Sequence, residues 1–264
     1  MCVDISFHSD HKLIVKDFPQ ILDKRNSKIS GNSDQLPAFL FPEVPIIYLQ
    51  DGSKLLSEMN WGVDPFYISD PKERVERKRH MLNARSERIL DDKKSYWHRL
   101  KDNRCLIPVS GTYEHRKIKG WDKKVPYYIW IKDRLIQYIP ALYQVHEVVE
   151  NGVISYDKTF TMITRKANEV MCNIHNDGDN KHRMPLFLTP ELEQAWILPD
   201  LTENDVRDIF NFEIPAEALG YQTVYTLRGV DERPDGKHKY EPWKWENLPE
   251  LGNDTPPKAQ LSLF

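Results

Sequence analysis

The sequence predicts an α+β chain, and three observations carry that reading. The first is two β-rich runs, Val125 to Ile131 and Ile136 to Tyr143, separated by a short polar turn. The second is a set of helix-start signals placed elsewhere: Pro71, Thr189-Pro190 and Thr202. The third is size, since 264 residues with 40% hydrophobic content suffice for a real core and show no internal repeat. Length alone leaves one large domain or two small ones open.

Taken in order, Lys12 to Val15 is a short strand candidate, and Asn26 to Asp34 reads as a polar loop. Val44 to Leu49 is a strand ended by the turn signal Asp51-Gly52. Met59 to Pro65 forms an irregular aromatic turn around Trp61-Gly62. Helical signals run from Glu73 to Met81 and from Lys93 to Asn103, the latter with Tyr96, Trp97 and Leu100 on one face.

Cys105 to Glu114 has β character, with Pro108 and Ser110-Gly111 marking a bend. Val125–Ile131 and Ile136–Tyr143 are expected to pair through Lys132-Asp133. Thr159 to Thr164 is a further strand, and Lys166 to Ile174 a helix ending near His175-Asn176. Met184 to Leu188 reads as a buried strand, helices follow from Thr189 and Thr202, and Tyr221 to Thr226 is a last strand. After Tyr240 the chain is rich in Pro, Asn, Glu and Gly, so residues 241–264 are expected to be a flexible tail.

Composition narrows the function. No run of about 18 apolar residues occurs and the first thirty residues hold no signal-peptide core, which points to the cytoplasm. Three scattered cysteines, Cys2, Cys105 and Cys172, fit neither a disulfide framework nor a zinc site, and no metal or cofactor is expected. The net charge is −3, but from Pro71 to Arg104 twelve Lys/Arg face six Asp/Glu. From Pro190 to Phe264 fifteen Asp/Glu face seven Lys/Arg. That asymmetry suits a basic working face, and it also suits a solvated, salt-bridged surface.

Four places carry candidate chemistry. Removal of Met1 would leave Cys2 with a free amine titrating near ~7.7–8.0 beside a thiol near ~8.5, a pair able to condense with an aldehyde. Asn83-Ala84-Arg85-Ser86-Glu87 offers an amide and a phosphate-binding guanidinium, or a capped helix junction. Glu114 ends an apolar strand, as a general acid or as a salt-bridged strand end. His175 at a helix end is a proton shuttle or one incidental histidine among nine.

The order Met1-Cys2, Trp61-Gly62, Asn83-Ala84-Arg85-Ser86-Glu87, Arg104 to Pro108 through Gly111-x-Tyr113-Glu114, Thr161 to Thr164, Ile174-His175 and Arg183-Met184-Pro185 resembles the SOS response-associated peptidase family of abasic site processing proteins. The resemblance spans residues 2 to 225. It implies one α+β domain over residues 1–240, with a mainly antiparallel, partly barrel-like β-sheet core flanked by helices. It also implies a positively charged cleft for single-stranded DNA and a monomer working at the nucleoid. By the same matching, Cys2 crosslinks to the ring-opened aldehyde of an abasic site as a thiazolidine, with peptidase and lyase side activities. Asn83, Glu114 and His175 complete the catalytic set, and Arg85, Arg183 and Trp61 contact DNA.

This chain departs from the family in reading Cys2-Val3-Asp4 where Cys-Gly-Arg is usual, and in placing His115 after the glutamate. Residues 176–181 look like an insertion. Two other functions remain open: an N-terminal-nucleophile cysteine amidohydrolase, and a non-enzymatic single-strand binder. Finally, Gln260, Leu261, Leu263 and Phe264 resemble the short motif by which bacterial repair proteins dock on the sliding clamp.

Overall fold

In the computed structural model, residues 3–25, 33–228 and 232–255 are described. Cys2 and the terminal motif from Gln260 to Phe264 lie outside them.

Period-2 alternation builds the larger sheet. β4 (Glu43–Gln50) and β5 (Ser53–Trp61) form a hairpin around Asp51-Gly52, both at positive φ (50° and 75°) as a tight primed turn requires. β7 (Arg104–Val109) pairs with β4 on one side and with β10 (Gln137–Glu150) on the other. A second tight turn at Asn151-Gly152 leads into β11 (Val153–Lys166). β11 then returns to β5 in parallel, with Thr159 opposite Asn60 and Phe160 opposite Trp61. Five strands are thereby closed into a barrel.

Alternate residues of these strands face opposite ways. Ile46, Tyr48, Met59, Trp61, Cys105 and Ile107 belong to one buried cluster, while Ile47, Leu56, Leu106 and Leu142 belong to another. The second cluster is covered by helices, including α6 (Pro190–Trp196) and α7 (Glu203–Asn211). Thr189 caps α6, and Thr202 caps α7 with a full Thr202–Asp205 capping box. Short strands extend the barrel sheet: β2 (Leu22–Asp23) on β5, and β6 (Asn83–Arg85) and β12 (Arg183–Pro185) on β11.

A second sheet has the order β13 (Leu219–Thr223), β9 (Val125–Ile131), β8 (Gly111–Arg116), β1 (Asp4–Phe7), β3 (Ser33–Pro37). One residue, Ser110, carries the chain from the barrel strand β7 into β8, and Ser110 N–H donates to Ser6 O at 2.8 Å. Gly111 is required there, because a Cβ would stand 2.3 Å from the Tyr128 ring. The remaining helices are α1 (Lys12–Asp17), α2 (Pro71–Arg79), α3 (Glu87–Leu90), α4 (Tyr96–Arg99) and α5 (Glu169–Ile174). None of the helices among the described residues is long and apolar enough to cross a membrane.

Four expectations are corrected. Lys12 to Val15 is helical, since Ile14 is buried with Phe18 one turn later while Val15 is exposed. β9 and β10 do not pair: the polar turn between them moves the chain from one sheet to the other. The helix expected over Lys93 to Asn103 is held to the four residues of α4.

The boundary at residue 240 also moves, because residues 241–255 lie on the domain. Trp243 N–H donates to Thr223 O and Trp245 Nε1 to Val224 O. Trp245, Leu248 and Leu251 pack on the core. Their few apolar side chains hide in a polar stretch, and backbone carbonyls supply the remaining anchors.

Candidate functional site

Glu114 and His175 meet between the second sheet and α5. Tyr113 lies opposite Asp4 in the β8–β1 register, so the next step sets Glu114 beside Val3, the first described residue. Glu114 is 3% exposed and His175 4%. His175 follows the last turn of α5, whose entry is capped by the Asn168 side chain. Its Nδ1 lies 2.8 Å from the Arg183 carbonyl oxygen. A carbonyl only accepts, so Nδ1 carries the proton and Nε2 is turned toward Glu114 Oε2, 3.9 Å away. Glu114 Oε1 is buried with no hydrogen-bond partner among the described residues. Such an oxygen is costly to leave unmet, and it marks where a proton donor fits.

β6 carries the second group of predicted residues. It lies parallel to β11, with Asn83 opposite Met162 and Arg85 opposite Thr164. Asn83, Arg85, Arg183 and Thr164 line one cavity of about 380 Å³. Arg85 is exposed and donates to Asn180 Oδ1 at 2.6 Å. Arg183 makes a bidentate pair with Glu87 at 2.6 and 2.9 Å and donates to Thr164 O. Burial works against ionised Glu87 and is the largest single influence, but the Arg183 hydrogen bond, a backbone N–H and the Arg183 and Arg85 charges together outweigh it, and the carboxyl titrates below the usual range. Of the two predicted backbone-binding arginines, Arg85 is therefore the more available.

The cavity continues into a second of about 540 Å³, sharing His80, Arg88 and Trp97. Arg77, Lys94 and Arg99 join Tyr67 and Tyr96 along its wall. The result is a basic groove with aromatic rings. Among the described residues no cluster of three or more His, Cys, Asp or Glu could hold a metal.

Trp61 does not belong to this surface. It is fully buried, with Nε1 donating to Leu82 O at 2.9 Å and its ring stacked on Phe160. The expectation that it contacts DNA is corrected, because a barrel-filling indole has no free face. Exposed rings follow it in the loop after β5: Phe66 (42%) and Tyr67 (55%). Phe66 stacks on His146, and Tyr67 leans toward Tyr96. Sequence reasoning passed over them, although aromatics following Pro65 beside a basic helix were visible.

The departures from the family pattern are accommodated locally. Asp4 is 2% exposed and accepts hydrogen bonds from Gln35 Nε2 (2.8 Å) and Arg228 Nη2 (2.7 Å). His115 is kept neutral-leaning: burial, the largest influence, with the Arg228 and Lys124 charges lowers its pKa despite nearby Glu114 and Asp4.

A family model described as SOS response associated peptidase (SRAP) matches residues 1–228. The chain belongs to the SRAP family. Over 158 residues it is 34% identical to the abasic site processing protein YoqW of Bacillus subtilis, covering 60% of this chain and 64% of that protein. Over 195 residues it is 27% identical to the abasic site processing protein HMCES of Gallus gallus, covering 66% of this chain and 54% of that one. The chain thus spans less than two thirds of the length of these relatives. A crystal structure of a Bacteroides thetaiotaomicron protein superposes with a TM-score of 0.73 at 26% identity, over 91% of this chain and 97% of that one. A phage-related protein of Bordetella bronchiseptica shares the fold, with a TM-score of 0.60 at 21% identity over 85% of this chain and 95% of that one.

Proposed function

We propose that this SRAP protein processes abasic sites in single-stranded DNA by a covalent crosslink through Cys2, exposed by removal of Met1. The observation that carries the reading is the buried Glu114–His175 pair, whose carboxylate has one oxygen without a partner among the described residues. Val3, the residue that follows Cys2 in sequence, is the one set beside Glu114.

The chemistry balances without a cofactor. The Cys2 amine adds to the aldehyde carbon of the opened sugar, and Glu114 supplies the proton that lets hydroxide leave as water. The resulting imine carbon takes the Cys2 sulfur, and the nitrogen gains a proton as the thiazolidine closes. His175 relays protons between this centre and solvent. Asn83 holds the opened sugar, and Arg85 with Arg183 holds flanking phosphates. Phe66, Tyr67 and Tyr96 suit stacking of exposed bases, which is tolerant of sequence. The reading is tested with a single-stranded oligonucleotide carrying one abasic site. Full-length protein should give a denaturation-resistant adduct, and absence of the adduct overturns the assignment.

The family's peptidase name favours a second reading, in which the Cys2 thiol attacks an amide. Peptide hydrolysis without an adduct would select it.

For the terminal motif, which lies outside the described residues, Gln260, Leu261, Leu263 and Phe264 are proposed to bind a sliding clamp. Such a tether raises the local concentration of Cys2 at replicated DNA. Deleting residues 260–264 should remove clamp binding and leave crosslinking of a free oligonucleotide intact. A deletion that also stops crosslinking refutes a separable tether.

A further inference from the structure

The family match ends at residue 228, yet residues beyond it reach both halves of the candidate site. Arg116 stands two residues after Glu114 on β8 and is fully buried. Its guanidinium donates to Asp254 Oδ1 (2.8 Å), Tyr127 Oη, and the carbonyls of Pro249, Glu250 and Asn253. Asn176 directly follows His175 and donates from Nδ2 to Asp254 Oδ2 at 2.9 Å. The same Asn176 side chain brackets Lys117, accepting from its N–H and donating to its carbonyl. Lys119 N–H donates to the Asp254 carbonyl. One carboxylate therefore spans the strand that bears Glu114 and the helix exit that bears His175.

We infer that Asp254 is a positioning residue which, through Arg116 and Asn176, sets the separation and orientation of Glu114 and His175. The inference rests on the crosslinking reading above. Acid–base partners already 3.9 Å apart tolerate little drift, and small misplacements slow proton transfer far more than they weaken binding. None of Arg116, Asn176 and Asp254 lines either of the two groove cavities. Removing the Asp254 carboxylate leaves Arg116 four other acceptors, so the fold is expected to survive.

The test uses the full chain and an abasic single-stranded oligonucleotide. Asp254→Ala and Asn176→Ala should each slow adduct formation at saturating DNA by about tenfold to a hundredfold, with affinity for intact single-stranded DNA unchanged. In a combined Glu114→Gln, His175→Ala background, Asp254→Ala should add nothing, because it acts through those two residues. Equal rates for Asp254→Ala and wild type overturn the inference, as does a further loss in that combined background. Wild type that forms no adduct refutes the crosslinking reading instead. In that case His175 imidazole resonances decide the positioning role: they should shift in Asp254→Ala while those of His98, away from the clasp, stay fixed. Unmoved His175 resonances overturn it.

Discussion

His175 Nε2 faces Glu114 Oε2 across 3.9 Å, both side chains nearly fully buried, although 61 positions separate them in sequence. The Arg183 carbonyl fixes the imidazole tautomer, and β8 aims the carboxylate. That pair governs the first prediction. Glu114→Gln keeps the shape but removes the acid, and should slow adduct formation by about 10²–10⁴-fold, the usual span of general acid–base catalysis. Single-turnover gels on an abasic oligonucleotide measure it, and an unaltered rate removes Glu114 from the mechanism.

Cys2→Ala should lose the stable adduct outright. An amine remains, so a transient imine and some strand cleavage by β-elimination persist. Borohydride trapping distinguishes that imine from a thiazolidine, and a full yield of untrapped adduct from Cys2→Ala would refute the proposed linkage.

The two cavity arginines should behave differently. Arg85→Ala should lower the salt slope of single-strand binding by about 0.7, one phosphate contact. Arg183→Ala should change that slope less, because its guanidinium is engaged by Glu87. Affinities measured at several salt concentrations decide; equal slopes for both variants would contradict the structural distinction.

Trp61 and Tyr67 should separate stability from binding. Trp61→Ala removes a fully buried ring and should cost about 3–5 kcal/mol of stability. Tyr67→Ala should leave stability near wild type and weaken single-strand binding by about 1–3 kcal/mol, the scale of one base–aromatic stack. Denaturant melts alongside binding titrations check both; a Tyr67→Ala variant with unaltered binding takes that ring out of the groove.

Acid should destabilise the fold through His115. Burial lowers its folded pKa below the unfolded value of 6.5. Between those two values the unfolded chain binds more protons, so stability falls as pH drops from 6.5 toward the folded pKa. His115→Gln should flatten this part of the stability–pH curve, and an unchanged slope would place the acid sensitivity elsewhere.

Much of the candidate site was legible in order along the chain. Asn83-Ala84-Arg85, Tyr113-Glu114, Ile174-His175 and Arg183-Met184-Pro185 were singled out by residue chemistry and by their resemblance to the SRAP pattern. In the fold Asn83, Arg85 and Arg183 share a cavity, and Glu114 and His175 share a buried contact. Strands that are continuous apolar and aromatic runs, such as Val125–Ile131, were equally readable. Trp61 was misread because an aromatic in a turn motif looks the same whether it faces solvent or fills a barrel.

The sequence by itself determined the residue types, their order and most of the local elements, because caps, turn residues and hydrophobic period act over a few positions. Tertiary structure alone decided which strands pair across 99 positions, as β11 does with β5 to close the barrel. It alone exposed Phe66 and Tyr67 and buried Trp61, since exposure depends on what the rest of the chain lays against a ring. It also drew residues 241–255 onto the domain. Among their anchors are backbone carbonyls received by the buried guanidinium of Arg116, and a carbonyl carries no signature in the sequence.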